Sequence, residues 1–212
     1  MARSPKIKVP DHLDKLTVAQ FQNCHEHNNN TSLDILDRNL LLLAEVTGVP
    51  IDYLETKVET KKLKLYFAQV GSLFQTELSK KPKRFIRVQG KVYQAIQLAS
   101  ELRDLMSTDQ FCTYSELTKN DPIKAMHLVL PLMYCKYSLF GKPVIGKNQS
   151  TLQEIFKHAK MGDISGTAFF FETQLQAFMP VLQEMNDQAM KTINQHLQEI
   201  THGEDFTNST VG

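Results

Sequence analysis

A chain of 212 residues can bury a substantial core, in one domain or two small ones. Its 42% hydrophobic and 22% charged content excludes a disordered or low-complexity protein. With 24 Lys and Arg against 23 Asp and Glu, the formal net charge of +1 excludes a strong overall field towards nucleic acid or membrane, so any such affinity requires a local patch.

The three cysteines, Cys24, Cys112 and Cys135, are widely separated and odd in number, which is no disulfide framework and points to a reducing compartment. The basic stretch Met1–Pro10 leads into no apolar segment or cleavage site, so a secretory signal is not expected. The apolar run Leu40–Val46 is too short to span a membrane. Ala125–Gly141 is near the lower limit and is interrupted by Pro131 and Lys136. Both read as buried helix, and no membrane association is expected.

In chain order, Lys6-Ile-Lys-Val-Pro10 alternates charged and apolar residues, predicting a short strand or extended basic arm. Thr17, with Gln20 three residues on, predicts a capping box that starts a helix carrying Phe21 and Cys24 on one face. That helix should end in Asn28-Asn29-Asn30. A second helix is predicted from Ser32 to Thr47, with a stripe of Leu33, Leu36, Leu40, Leu43 and Ala44, stopped by Gly48 and Pro50. Ile51–Leu54 starts a short helix. Leu63, Phe67, Val70, Phe74 and Leu78 predict another, over Leu63–Leu78.

Arg84–Val88 and Lys91–Tyr93 flank Gln89-Gly90 and read as a β-hairpin, which must pack on helices or pair with a further strand. The segment 6–9 is one candidate partner. Helical pattern returns from Ser107 to Lys119. A further helix is predicted from Ile123 to Phe140, started by Pro122 and bent at Pro131. Gly141–Gly146 reads as a loop and Thr151–Lys160 as a short helix. Gly162, Asp163 and Gly166 then precede Phe169-Phe170-Phe171 and a long helix reaching about Thr201. Leu16–Phe21 and Met106–Phe111 echo one another, as a duplication or as two helices with the same start signals. The expected fold is mainly α, a helical domain with a small β-hairpin and a long C-terminal helix. Its expected parts are 1–81, 82–202 and a flexible tail 203–212, the first two separate or continuous.

Little in this pattern suggests catalysis. Cys24-His25-Glu26-His27 places four ligand types together, but consecutive helical residues point apart, and no second cluster completes a zinc set. His127 and Cys135 are eight apart in one expected helix, roughly 12 Å of rise, too far for a nucleophile and its base. Gly141 to Asn148 departs from a phosphate loop at Asn148 and at Pro143. No catalytic, cofactor-binding or metal-binding residue is expected.

Two stretches are candidate contact surfaces. Between Lys57 and Lys91 stand Lys57, Lys61, Lys62, Lys64, Lys80, Lys81, Lys83, Arg84, Arg87 and Lys91, against Glu59 and Glu77 alone. Lys61, Lys62, Lys80, Lys81, Lys83, Arg84 and Arg87 are the residues expected to meet an acidic protein partner or, alternatively, phosphates; the other reading is a solvated face. Tyr66, Phe67 and Phe74 fit a helical core, so no aromatic residue on a strand is expected to stack on bases. The second stretch is apolar: Phe169, Phe170 and Phe171 precede a helix whose Leu175, Phe178, Leu182, Met185, Ala189, Ile193, Leu197 and Ile200 form a stripe at roughly heptad spacing, which packs on the chain itself or on a neighbour.

The order of these pieces resembles a group of tailed-bacteriophage proteins, tail assembly chaperone-like or structural. The pieces are Lys6–Pro10 with Leu16–Phe21, the hairpin Phe85–Tyr93, Met106–Phe111, His127-Leu-Val-Leu130 with Tyr134 and Tyr137, and the Phe169–Phe171 helix. Where such proteins often carry an acidic stretch after the hairpin, this chain has Ala95 to Asp104, which reads as helix. The resemblance implies a non-enzymatic role in virion assembly, with tail or connector subunits as partners. It also implies residence in the host cytoplasm during assembly or in the virion, and homo-oligomers are compatible with it.

Overall fold

The structure, a computed structural model, describes residues 5–95, 119, 121–136, 149–169 and 191. It is mainly α with a small antiparallel sheet, as the periodicity predicts. The chain divides into two compact units, Met1–Phe170 and Phe171–Gly212, and the first crosses position 81 without a break. Among the described residues only Lys191, helical, falls in the second unit. The expected helix at 107–118, the second copy of the echo, the loop 141–146, the long C-terminal helix and the tail 203–212 lie outside the described residues.

A single turn of 3-10 helix, Leu13–Lys15, leads into α1, Val18–Asn29. The predicted capping box is present. Gln20 N–H donates to Thr17 Oγ1 at 3.2 Å, and Thr17 N–H donates to Gln20 Oε1 at 3.1 Å. The first four N–H groups of a helix lack partners within it, and in α1 each finds one. Besides the box, Phe21 N–H bonds Thr17 O, while Val18 and Ala19 donate to the carbonyls of Ala159 and Lys157 at 2.9 and 3.0 Å. Gln20 Nε2 also donates to Glu45 O at 2.8 Å, filling an open acceptor at the end of the next helix.

That helix, α2, spans Ile35–Thr47. It begins three residues later than Ser32, because the Asp34 carboxylate takes the Asp37 N–H at 2.8 Å and fixes the start there. The predicted stripe is therefore shortened: Leu40 and Leu43 are buried with Leu42 and Val46, whereas Ile35 and Leu36 are 77% and 56% exposed. Gly48, with φ 69°, closes α2 in the left-handed conformation, as predicted. The short α3, Ile51–Lys57, and α4, Thr60–Leu73, follow. α4 stops five residues before Leu78. Its last turn tightens as Gln75 and Thr76 donate to Ser72 and Leu73 carbonyls, and the Thr76 hydroxyl also donates to Leu73 O at 2.7 Å. Val70 and Leu73 are buried, but Phe74 is exposed.

β1, Phe85–Val88, and β2, Lys91–Ala95, form the predicted hairpin. Gln89 and Gly90, with φ of 47° and 77°, supply the two left-handed positions that a two-residue turn needs. The third strand is not the segment 6–9, which has no regular structure, but β3, Tyr134–Lys136, paired antiparallel to β2 with Ala95 opposite Tyr134. β3 comes from the stretch expected to be helix. α5 spans Pro122–Met133, and Pro131 removes an N–H from its last turn, where the backbone passes directly into the strand. The outer edge of β2 gives that backbone its hydrogen bonds.

α6, Gln149–Phe156, packs on α5. Phe156 is fully buried between Tyr93 and Tyr134, with ring centroids 5.1 and 5.7 Å away, so the sheet and helices share one core. The chain then bridges Lys160 to Thr17 and turns into α7, over 161–169. Gly162, Asp163 and Gly166 were expected before a helix; they lie inside one. Their smallness serves packing: a Cβ at Gly162 would press on Asp14, and one at Gly166 would collide with the backbone of Lys81 and Pro82.

Residues 76–83 are thereby strapped between the first turn of the chain and α7. Leu13 N–H donates to Thr76 Oγ1, Ser79 N–H to Asp14 Oδ1, and the Ser165 hydroxyl to Ser79 O at 2.7 Å. Gly166→Ala is expected to destabilise the protein by about 1–3 kcal/mol, because main chain, unlike a flexible side-chain tip, cannot yield cheaply. Thermal unfolding measures this, and an unchanged midpoint would contradict the close approach.

Candidate interaction surface

All ten Lys and Arg residues from Lys57 to Lys91 are exposed. Lys57 stands at the end of α3, and the other nine follow along α4, the strap and the hairpin. Lys61, Lys62 and Lys64 lie in the first half of α4. Lys80, Lys81 and Lys83 lie on the strap, Arg84 links it to the hairpin, and Arg87 and Lys91 lie on the hairpin. The strap's backbone bonds turn its main chain to Asp14 and Ser165, while its cationic side chains remain in solvent.

Two members of the stretch are paired. Lys62 Nζ lies 3.0 Å from Glu59 Oε1, one turn before it, and Lys83 Nζ lies 2.6 Å from Asp163 Oδ1 on α7. The others form no ion pair among the described residues. Exposed pairs of this kind contribute little to stability, so the stretch is a surface charge rather than a structural network. The Lys83–Asp163 pair does add one more tie between strap and α7.

Strand alternation places Ile86 and Val88 in the core and Phe85 and Arg87 outside. Phe85 is 45% exposed, with the Arg84 guanidinium 5.3 Å from its ring centre. An exposed aromatic residue therefore does stand on a strand within the basic stretch, contrary to the sequence-based expectation. The alternation around Gln89-Gly90 carried that signal. The exposed pair Ile35 and Leu36 was also missed, because a helical stripe by itself does not say where the core ends.

Of the apolar candidates, Phe169 is described, in α7 and 52% exposed. Phe170, Phe171, Phe178, Leu182 and Met185 lie outside the described residues, as does the stretch 141–148.

Cys24 is fully buried, and burial, with the Glu45 carboxylate adding to it, pushes its thiol up to about 12. His25 turns towards Asp121, 3.8 Å away. Among the described residues no three His, Cys, Asp or Glu side chains are grouped to hold a metal ion. His127 and Cys135 do not share a helix, since Cys135 sits on β3 opposite Gln94.

His127 instead joins α1 to α5. The Gln22 side-chain amide donates to the carbonyls of Ile123 and Lys124 at 2.7 and 2.9 Å, and lies 3.0 Å from His127 Nδ1. This is an interhelical tie with no nucleophile or second base in it.

Comparison with family models, with curated proteins and with solved structures finds no significant match. No helix among the described residues is long and apolar enough to cross a membrane.

Burial first, and then Lys157, lowers the pKa of His127, against opposing effects of Glu154 and a backbone bond at Lys124. A lowered folded-state value means that the neutral ring favours folding. That contribution is complete above about pH 6.5, the unfolded value, and is lost as pH falls towards and through the folded value. His127→Gln should flatten the fall in unfolding midpoint between pH 7 and 5 relative to the parent chain. Parallel curves would show that His127 does not titrate with folding.

Proposed function

We propose that this chain is a non-enzymatic, protein-binding component of tailed-phage assembly. It either remains in the particle as a connector or tail-ring subunit or acts as a tail assembly chaperone. One observation carries the binding role: ten cationic side chains, from Lys57 to Lys91, are all solvent-exposed, and part of the stretch lies on a strap whose main chain is anchored at both faces. A fixed backbone lowers the entropy lost when a partner docks, and charge on it steers an acidic partner. The phage assignment rests on the order of the short motifs, among them Thr17–Gln20 and the hairpin.

Quantitative mass spectrometry of purified particles from the encoding phage, calibrated against the portal protein, tests the assignment. A ring-like stoichiometric signal is expected for a built-in subunit, and abundance in the infected lysate with absence from particles for a chaperone. Absence from both would overturn the reading.

A second reading, nucleic-acid association, is favoured by Phe85, exposed on β1 between Arg84 and Arg87. It requires DNA binding that weakens steeply with salt. Unchanged fluorescence anisotropy of a labelled oligonucleotide at 50 mM salt would exclude it.

A further inference from the structure

The basic stretch has a counterpart on the same chain. Residues 57–91 carry ten cations and two anions, +8, so the remaining residues, with 14 cations and 21 anions, carry −7. Charges of each sign stand next to exposed apolar side chains, at two places. On α4, Leu65 is 57% exposed, with Lys61 four residues before it and Lys64 beside it; neither forms an ion pair among the described residues. On the first turn of α2, Ile35 and Leu36 are 77% and 56% exposed and lie between the exposed carboxylates of Asp34 and Asp37. Arg38, one residue beyond Asp37, is turned back onto the carbonyls of Asn30 and Leu33, and Asp34 and Asp37 stay exposed.

An apolar centre with a charged rim is the ordinary make-up of a protein–protein contact. Here the two centres carry rims of opposite sign. We infer that the first turn of α2 in one copy docks on the Lys61–Leu65 face of α4 in a second copy of this chain. Ile35 and Leu36 meet Leu65, while Asp34 and Asp37 meet Lys61 and Lys64. Self-association follows from the chain's own surface and rests on reading the basic stretch as protein-binding, though not on which assembly it serves. Because the rims are solvent-exposed, the contact weakens with salt.

The test is the mass of the full chain by sedimentation velocity over a concentration series at 50 and 500 mM NaCl. At low salt the mass should rise above 24.2 kDa with concentration, and high salt should return it to the monomer. Lys61→Glu/Lys64→Glu and Asp34→Asn/Asp37→Lys should each abolish the rise. Asn at position 34 keeps the helix cap, and circular dichroism confirms that both variants stay folded. An equimolar mixture of the two variants should restore association. Lys6→Glu/Lys8→Glu, which changes net charge as much as the α4 lysine pair but lies on the exposed N-terminal arm outside the basic stretch, should leave association intact.

A monomer at every concentration and salt overturns the inference. So does an association that survives both rim variants or disappears equally in the Lys6/Lys8 control. Either failure leaves the particle measurement to decide the assembly role on its own.

Discussion

The start of α1 needs acceptors for N–H groups that its own helix cannot satisfy, and the fold of the first unit is organised around supplying them. Val18 and Ala19 reach the carbonyls of Ala159 and Lys157, Thr17 and Gln20 serve one another, and Met161 N–H returns to Leu16 O. Residues about 140 positions apart are thus tied by main-chain bonds whose loss would leave buried donors open. From the same short stretch, Leu13 and Asp14 bind Thr76 and Ser79, and Gln20 binds the end of α2. The stretch from Leu13 to Gln20 therefore joins the helices to the strap and to the end of α6.

Two consequences follow for the surface. Because the strap's backbone is held by Asp14, Ser165 and the bare flank of Gly166, its Lys side chains point away from the core without the chain wandering. And because α2 starts only at Asp34, two large apolar residues are left in its first turn with no core beneath them. The titratable groups with a marked structural setting, Cys24 and Tyr134, are buried in packing positions, and their raised pKa values, about 12 in each case, reflect that burial first. Such groups hold their protons at neutral pH and serve as core.

Much of the local structure was legible in the residues. Thr17 and Gln20 marked the start of α1, Gly48 and Pro50 the end of α2, and Gln89-Gly90 the hairpin turn, because each depends on the conformational preference of one or two residues. The ten exposed cations were legible as well, since Lys and Arg are rarely buried. What was misread shared one cause. Tyr134–Lys136 looked helical because apolar periodicity continued through it, Gly162 and Gly166 read as standing before a helix because glycine weakens isolated helices, and Leu36 looked like core because it was in phase with Leu40.

In each of those cases the decision belonged to a distant part of the chain. A strand forms at 134–136 because β2 offers an open edge to a backbone that Pro131 has released from helix. Glycines are used in α7 because Asp14 and Lys81 come within touching distance of it. The sequence by itself determined the helical class, the caps and turns, and the cluster of positive charge, all properties of near neighbours. Tertiary structure alone decided the third strand, the anchoring of the strap and which apolar residues stay exposed. Those outcomes depend on hydrogen-bond partners and packing space supplied from far along the chain, which no local pattern encodes.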